Sequence, residues 1–328
     1  LWYHRAMAIY DETLEKQRRY FRTGATLPIS FRKSMLMKLR DELKLREKEI
    51  VEALHEDLGK SDFEAYATEI GIVYGEISYL LRHLSSFMRR KKVLSPITIF
   101  KATSYTIREP LGNVLIMSPW NYPLQLTMVP LAGAIAGGNT AIVKPSRYSK
   151  ATSKLMKSII DDIFPPEYIA AFEGGHETNS ALLEGRYDMI FFTGSPGVGR
   201  IVAAKAAETL TPTVLELGGK SPVIIDKSAD IKLSARRLAW GKFLNAGQTC
   251  VAPDYVLADT AVIKPLIEAL KKETGRMFSS APLSSPDLPK IINERHFERI
   301  KGLIAGSDIA FGGASDKEER KIEPTVLY

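Results

Sequence analysis

From Gly112 onward, short apolar runs alternate with stretches of helical periodicity, and this alternation limits the fold more than any other feature of the chain. The runs cover 113–118, 140–144, 168–173, 189–193 and 214–217; helix-like stretches at 123–136, 150–164 and 198–210 lie between them. A strand with one wet face alternates apolar and polar side chains. A run that is apolar throughout is buried on both faces, as in a parallel sheet covered by crossover helices. The expectation is an α/β chain with a doubly wound parallel sheet. Ligands of such sheets bind beyond the carboxyl ends of the strands, and each polar or glycine-rich motif below falls at such an end.

Upstream, 30–59 reads as one long amphipathic helix with Leu36, Leu39, Leu43, Ile50 and Leu54 near one face. Ser30 would be its N-cap and Gly59 its stop. A second helical segment spans 63–88. Pro96 and the polar alternation over 103–108 then suggest a linker and an exposed strand or hairpin. After Pro222 a new alternation begins (223–226, 230–244, 255–258), read as a second domain. There is neither an internal repeat nor a low-complexity segment.

Composition removes several function classes. At 328 residues the chain has room for about two domains. Its 45% hydrophobic and 25% charged content is that of an ordinary globular protein. One cysteine, Cys250, rules out an intrachain disulfide and an all-thiolate zinc site, so a reducing, cytoplasmic setting is expected. His4, His55, His83, His176 and His296 never fall three or four apart, so no metal site is expected. The net charge of +7 is densest at Arg89-Arg90-Lys91-Lys92, where a helical pattern ends. Cations there complement the helix dipole, and no motif for nucleic acid accompanies them. No apolar stretch approaches the ~20 residues of a membrane span. The first six residues lack the apolar core of a secretory signal; Met7 reads as the initiator, with those six upstream of it.

Cys250 closes the small-residue turn Asn245-Ala246-Gly247-Gln248-Thr249-Cys250, about one strand and one helix after Glu216-Leu217-Gly218-Gly219. A free cysteine is most often a small buried hydrophobe. A carboxylate in a glycine-rich turn beside it suggests covalent chemistry with a water-activating base. Gly194-Ser195-Pro196-Gly197-Val198-Gly199 follows the strand 189–193 and opens a helix, where backbone amides can receive a pyrophosphate. Its pattern is G-x-x-G-x-G rather than G-x-G-x-x-G, and a tight turn needs glycine in any case, so both readings stand. Gly218-Gly219-Lys220-Ser221 resembles the end of a phosphate loop, but Val214 occupies the position that needs glycine. Asn121, in Trp120-Asn121-Tyr122-Pro123, either caps the following helix or aims its amide at a developing oxyanion. Lys144, in Lys144-Pro145-Ser146, either holds an ammonium over the sheet edge or is a solvated strand-end lysine.

Together these motifs resemble the aldehyde dehydrogenase superfamily, most closely its class 3 branch of fatty and aromatic aldehyde dehydrogenases. The resemblance covers nearly the whole chain. It rests on Pro119-Trp120-Asn121-Tyr122-Pro123, Gly137-Gly138-Asn139-Thr140, Lys144-Pro145-Ser146 and Phe192-Thr193-Gly194-Ser195. It continues through Leu215-Glu216-Leu217-Gly218-Gly219-Lys220-Ser221-Pro222 and the segment from Trp240 through Cys250 to Tyr255.

The resemblance implies oxidation of an aldehyde to a carboxylic acid with NAD or NADP. Cys250 would attack the carbonyl as thiolate, passing through a thiohemiacetal and an acyl-thioester. The Asn121 amide and the Cys250 backbone N–H would hold the oxyanion, and Glu216 would activate the hydrolytic water. Lys144 would bond the adenosine ribose. Gly194, Ser195, Gly197, Val198 and Gly199 would approach the pyrophosphate, and Leu217 would meet the nicotinamide through its backbone. Arg147 departs from the pattern: the family commonly carries glutamate there, which disfavours a 2′-phosphate. An arginine removes that repulsion and offers a bidentate partner, so NADP is expected to serve at least as well as NAD.

The implied organisation is a cofactor-binding domain from 1–88 and 112–217, a bridging and oligomerisation element at 89–111, and a catalytic domain from 218. The sequence ends at Pro324-Thr325-Val326-Leu327-Tyr328, where the family continues to a Glu-x-Phe-Gly-Pro segment. A truncated catalytic domain is therefore expected, with a homodimer when full length. Two alternatives remain at this level. One is an acylating enzyme that passes the thioester to coenzyme A, against which Glu216 argues; the other is an inactive fragment that only binds. A cysteine hydrolase would need a histidine base, and none is near Cys250 in sequence.

Overall fold

Residues 2–328 are described in a computed structural model, with side chains from residue 9 onward. The reading of Met7 as initiator lies outside the residues whose side chains are described. The chain begins with α1 (Trp2–Arg22), α2 (Ile29–Leu45) and α3 (Glu47–Leu58). The single helix expected over 30–59 is thus two. Arg46 interrupts it at φ −103° and ψ 18°, and its guanidinium bonds Ser158 and Asp162. Both halves face the core, burying Leu36, Leu39 and Leu43 on one and Ile50, Leu54 and Leu58 on the other. Ser30 is not the N-cap: α2 starts directly after Pro28 without a side-chain cap. Gly59 ends α3 as expected, at φ 66°, with its N–H donating to His55 O at 2.8 Å.

A short α4 (Asp62–Ala65) runs through a π turn at Tyr66–Ile70 into α5 (Gly71–Phe87). Next come β1 (Lys91–Val93) and β2 (Ser104–Thr106), an antiparallel pair. The alternating segment that follows is β3 (Asn113–Met117), α6 (Gln125–Gly137), β4 (Thr140–Lys144), α7 (Lys150–Ile163), β5 (Ile169–Ala171), α8 (His176–Leu183), β6 (Met189–Thr193), α9 (Pro196–Glu208) and β7 (Thr213–Glu216). Its strands form one parallel sheet in the order β5-β4-β3-β6-β7.

Both faces of this sheet are covered, which is why the strands are apolar throughout. Val114, Ile116, Ala141 and Val143 point to a core shared with α2, α3, α5, α6 and α7. Their neighbours Leu115, Met117 and Ile142 point the other way, to Leu14 of α1, Leu182 of α8 and Val202 of α9. Each fully buried side chain of this kind stabilises the fold by ~1.5–3 kcal/mol before entropy is counted.

After β7 the chain forms β8 (Ser221–Ile225), α10 (Ile231–Phe243), β9 (Pro253–Ala258), α11 (Ile263–Phe278) and α12 (Glu294–Ile304). β8 and β9 pair in parallel, and α10 and α11 supply a separate core around Ala235, Leu238, Leu266 and Leu270. The last strands are β10 (Ile309–Phe311), β11 (Ser315–Asp316), β12 (Lys321–Ile322) and β13 (Val326–Leu327), paired as β10 with β13 and β11 with β12.

Candidate active site

The strand register gathers the motifs on one edge. Met117 pairs with both Lys144 and Phe192, and Thr193 pairs with Glu216, so the loops after β3, β4, β6 and β7 leave the sheet side by side. The connections reverse direction between β3 and β6, the crevice where doubly wound sheets bind ligands.

α9 opens at this crevice. Ser195 is its N-cap, accepting the Val198 N–H at 3.4 Å, and Pro196 is its first residue. Two of the three glycines here are needed for packing. A Cβ on Gly194 would meet Phe192 at 2.6 Å, and one on Gly199 would meet Leu217 at 2.7 Å. Gly197 is different: nothing lies within 4 Å of where its Cβ would be. Ser195, Gly197 and Val198 are exposed, and the buried Thr193 Oγ1 beside them has no hydrogen-bond partner among the described residues. This open backbone with a helix N-terminus and a spare hydroxyl fits an anionic ligand such as a pyrophosphate.

Lys144 is not a solvated strand-end lysine. It is 3% exposed, and burial, aided by nearby Arg147, brings its ammonium down to about 8 against the opposing pull of Glu173. Its Nζ donates to Pro145 O at 2.6 Å, one of the three hydrogen bonds an ammonium can donate. Arg147 is exposed but lies along neighbouring surface. Its guanidinium stands 5.0 Å over the Tyr148 ring, and a Cβ added to Gly175 would come within 2.9 Å of Nη1. A cleft of about 140 Å³ between Arg147, Lys150, Ser153 and Gly174 opens beside them.

The thiol loop is held from several directions. The Asn121 side-chain amide donates to Gln248 O at 2.8 Å, while Asn121 O accepts from Asn245 Nδ2 at 2.7 Å. Tyr122 OH and Thr249 Oγ1 share a hydrogen bond of 2.5 Å. Gln248 donates to Lys290 O and accepts from the Ile292 N–H, both at 3.1 Å. Cys250 is half-buried at the end of this loop. Gly219 lies against it: a Cβ there would stand 2.6 Å from Cys250 O. The segments of Asn121, Glu216 and Cys250 therefore converge. Glu216 itself is exposed at the end of β7, and its carboxylate makes no hydrogen bond or ion pair among the described residues.

Asn121 does not cap the following helix. The N–H groups of Leu124 and Gln125 are taken instead by Glu69 Oε2, at 2.8 and 3.2 Å. Glu69 is paired with Lys60 Nζ at 2.5 Å, and both are fully buried. Lys60 also lies 4.2 Å over the Tyr122 ring and donates to Asn121 O at 3.3 Å. Glu64 adds a third buried charge beneath the loop: its Oε1 accepts the Asn245 N–H at 2.5 Å. Burial pushes its carboxyl up to about 7 despite the pull of Lys60 and the Asn245 amide. None of these three was among the candidates read from the sequence. A signal existed, since Glu69 interrupts the buried stripe continued by Val73, Ile77, Leu80 and Leu84.

Among the described residues, no group of three or more His, Cys, Asp or Glu is disposed to hold a metal ion. No helix among them is long and apolar enough to cross a membrane.

A doubly wound parallel sheet with a glycine-opened helix at its crevice, and a thiol loop meeting the same edge, defines a dinucleotide-type α/β fold joined to a cysteine site. Residues 4–328 match the aldehyde dehydrogenase family, and the chain belongs to it. It is 46% identical over 323 residues to the 4,4'-diaponeurosporen-aldehyde dehydrogenase of Staphylococcus aureus, covering 98% of this chain and 70% of that protein. A solved structure of the substrate-bound state of Staphylococcus aureus AldH superposes with a TM-score of 0.94 at 45% identity, covering 96% of this chain and 69% of that one. An aldehyde dehydrogenase of Mycobacterium tuberculosis complexed with NAD+ superposes with a TM-score of 0.87 at 26% identity, covering 98% and 68%. The family is one of oxidoreductases whose members use nicotinamide cofactors.

Proposed function

We propose that this chain carries the cofactor cleft and the nucleophile of an NAD(P)-dependent enzyme that oxidises an aldehyde to a carboxylic acid. The observation that carries the reading is the convergence of Asn121 and the Cys250 loop through the 2.8 Å hydrogen bond to Gln248. The Cys250 thiolate adds to the carbonyl carbon. The resulting oxyanion is stabilised by the Cys250 backbone N–H and by Asn121 Nδ2, which has two N–H groups and spends one on Gln248. When bound, the oxidised nicotinamide supplies the acceptor for the hydride that leaves this carbon. Glu216 then takes a proton from water, which attacks the Cys250 thioester; the acid departs and the thiol is restored.

Lys144 is assigned to the adenosine ribose and Arg147 to its 2′ position. The backbone of Gly194, Ser195, Gly197, Val198 and Gly199 faces the pyrophosphate, and the Leu217 backbone faces the nicotinamide. With Arg147 rather than a carboxylate at this point, NADP serves at least as well as NAD.

The cofactor domain comprises 1–88 and 112–217, and the catalytic domain begins at 218. The element at 89–111 mediates homodimer formation in the full-length protein; Leu94, Ile97 and Phe100 on it are 98%, 87% and 80% exposed. The lone thiol suits a reducing cytoplasm. Long-chain or aromatic aldehydes are the substrate class that the class 3 resemblance favours.

The test is turnover of the full-length protein with an apolar aldehyde and either cofactor. Reduced cofactor and free acid should form without coenzyme A and vanish in Cys250→Ala. An absolute requirement for coenzyme A, or unchanged turnover in that variant, would refute the reading.

A further inference from the structure

The backbone just ahead of the thiol is unusual. Asn245 and Ala246 both adopt left-handed conformations, at φ 53° and 52°, and neither is glycine. Such a pair persists only where the surroundings over-determine it. From the Asn245 side chain, Nδ2 reaches Asn121 O and Gln248 O, at 2.7 and 3.4 Å. The Asn245 N–H donates to Glu64 Oε1 at 2.5 Å, on a helix 181 residues earlier in the chain. Glu64 is 6% exposed, and Asn245 is fully buried.

We propose that Glu64 is a positioning residue for the nucleophile: its carboxylate clamps the left-handed Asn245–Ala246 turn and thereby fixes the direction in which Cys250 points. The inference rests on the reading of Cys250 as nucleophile. The neighbouring Lys60–Glu69 pair does different work, tying the Asn121 carbonyl and the start of α6. Glu64 takes the backbone N–H of the strained turn, which the contacts through the Asn245 side chain and carbonyl leave free.

The groups facing Glu64 are Lys60, Glu69, Tyr122 and Asp287. Lys60 favours its ionised form, whereas Glu69, Asp287 and burial oppose it. With its carboxyl pushed up to about 7, Glu64 ionises within the working range of an enzyme. The ionised form is the stronger acceptor for an N–H, so the clamp tightens as pH rises through 7 and loosens below it.

The test uses the full-length protein and follows alkylation of Cys250 by iodoacetamide through peptide mass spectrometry, alongside kcat and both KM values. Glu64→Ala should lower the alkylation rate and kcat by about tenfold or more, as expected for a misplaced reacting group, with cofactor KM nearly unchanged. Glu64→Gln keeps a neutral carbonyl acceptor, so both should lie between those of Glu64→Ala and the parent above pH 7 and match the protonated parent below it. The alkylation profile should show an inflection near pH 7 in the parent that is absent in Glu64→Gln. Alkylation and kcat unchanged in Glu64→Ala, or an inflection that survives in Glu64→Gln, would overturn the clamp. Should Glu64→Ala not fold, the profile of Glu64→Gln decides alone. Turnover that survives Cys250→Ala defeats instead the reading on which the clamp rests.

Discussion

Asn121 Nδ2 sits 2.8 Å from Gln248 O, two residues ahead of Cys250. One side chain thus ties the loop after β3 to the thiol loop while keeping a second N–H for another acceptor. Asn121→Ala removes both. The expected result is a fall in kcat of about 10²–10³-fold, the usual cost of one oxyanion donor, with a smaller change in aldehyde KM. Steady-state kinetics measure this. A loss confined to KM would mean that Asn121 only orders the loop.

Gly219 faces the carbonyl of Cys250, and Gly197 faces open space. Gly219→Ala should therefore displace the thiol loop and lower kcat by about tenfold or more. Gly197→Ala should leave the melting temperature at or slightly above the parent value, because alanine is the better helix former. Its cost should appear as weaker cofactor binding. Thermal melting and cofactor titration of the two variants separate these effects.

Arg147 is assigned above to the 2′ position of the adenosine ribose, where NADP carries a phosphate. The parent should use NADP at least as well as NAD, and Arg147→Glu should shift the ratio of kcat/KM toward NAD by about tenfold or more, the scale of a lost charged hydrogen bond. A strong NAD preference in the parent would contradict this.

Lys144, assigned above to the adenosine ribose, is a buried ammonium that opposes folding. Its pKa falls from 10.5 unfolded to about 8 folded. Below 8 both states are protonated, and burying the charge opposes folding by ~3 kcal/mol or less. Between about 8 and 10.5 the unfolded chain holds more protons, so stability rises with pH across that window. Lys144→Met should raise the melting temperature at pH 7 and flatten this pH dependence, while cofactor affinity falls. Melting curves without cofactor at pH 7 and 9.5 test the sign.

Much of this architecture was legible because the sheet is buried on both faces. The runs at 140–144 and 189–193 coincide with β4 and β6, since continuous apolar character closed by Pro145 and Gly194 leaves few alternatives. The break at Arg46 was not legible. It follows from contacts with Ser158 and Asp162, more than a hundred residues away, which no local periodicity records. The motifs around Asn121, Glu216 and Cys250 stood out because glycine, proline and small residues crowd them. Glu64 and Lys60 did not, since a carboxylate on a short helix and an ammonium in the loop before it look like surface residues until the fold buries them.

The most direct test of the central claim is mass spectrometry of the Glu216→Gln variant after brief mixing with aldehyde and oxidised cofactor. The expected result is an acyl adduct on the Cys250 peptide that accumulates only when both are present and decays slowly. Continued turnover with Cys250 unmodified throughout would contradict it.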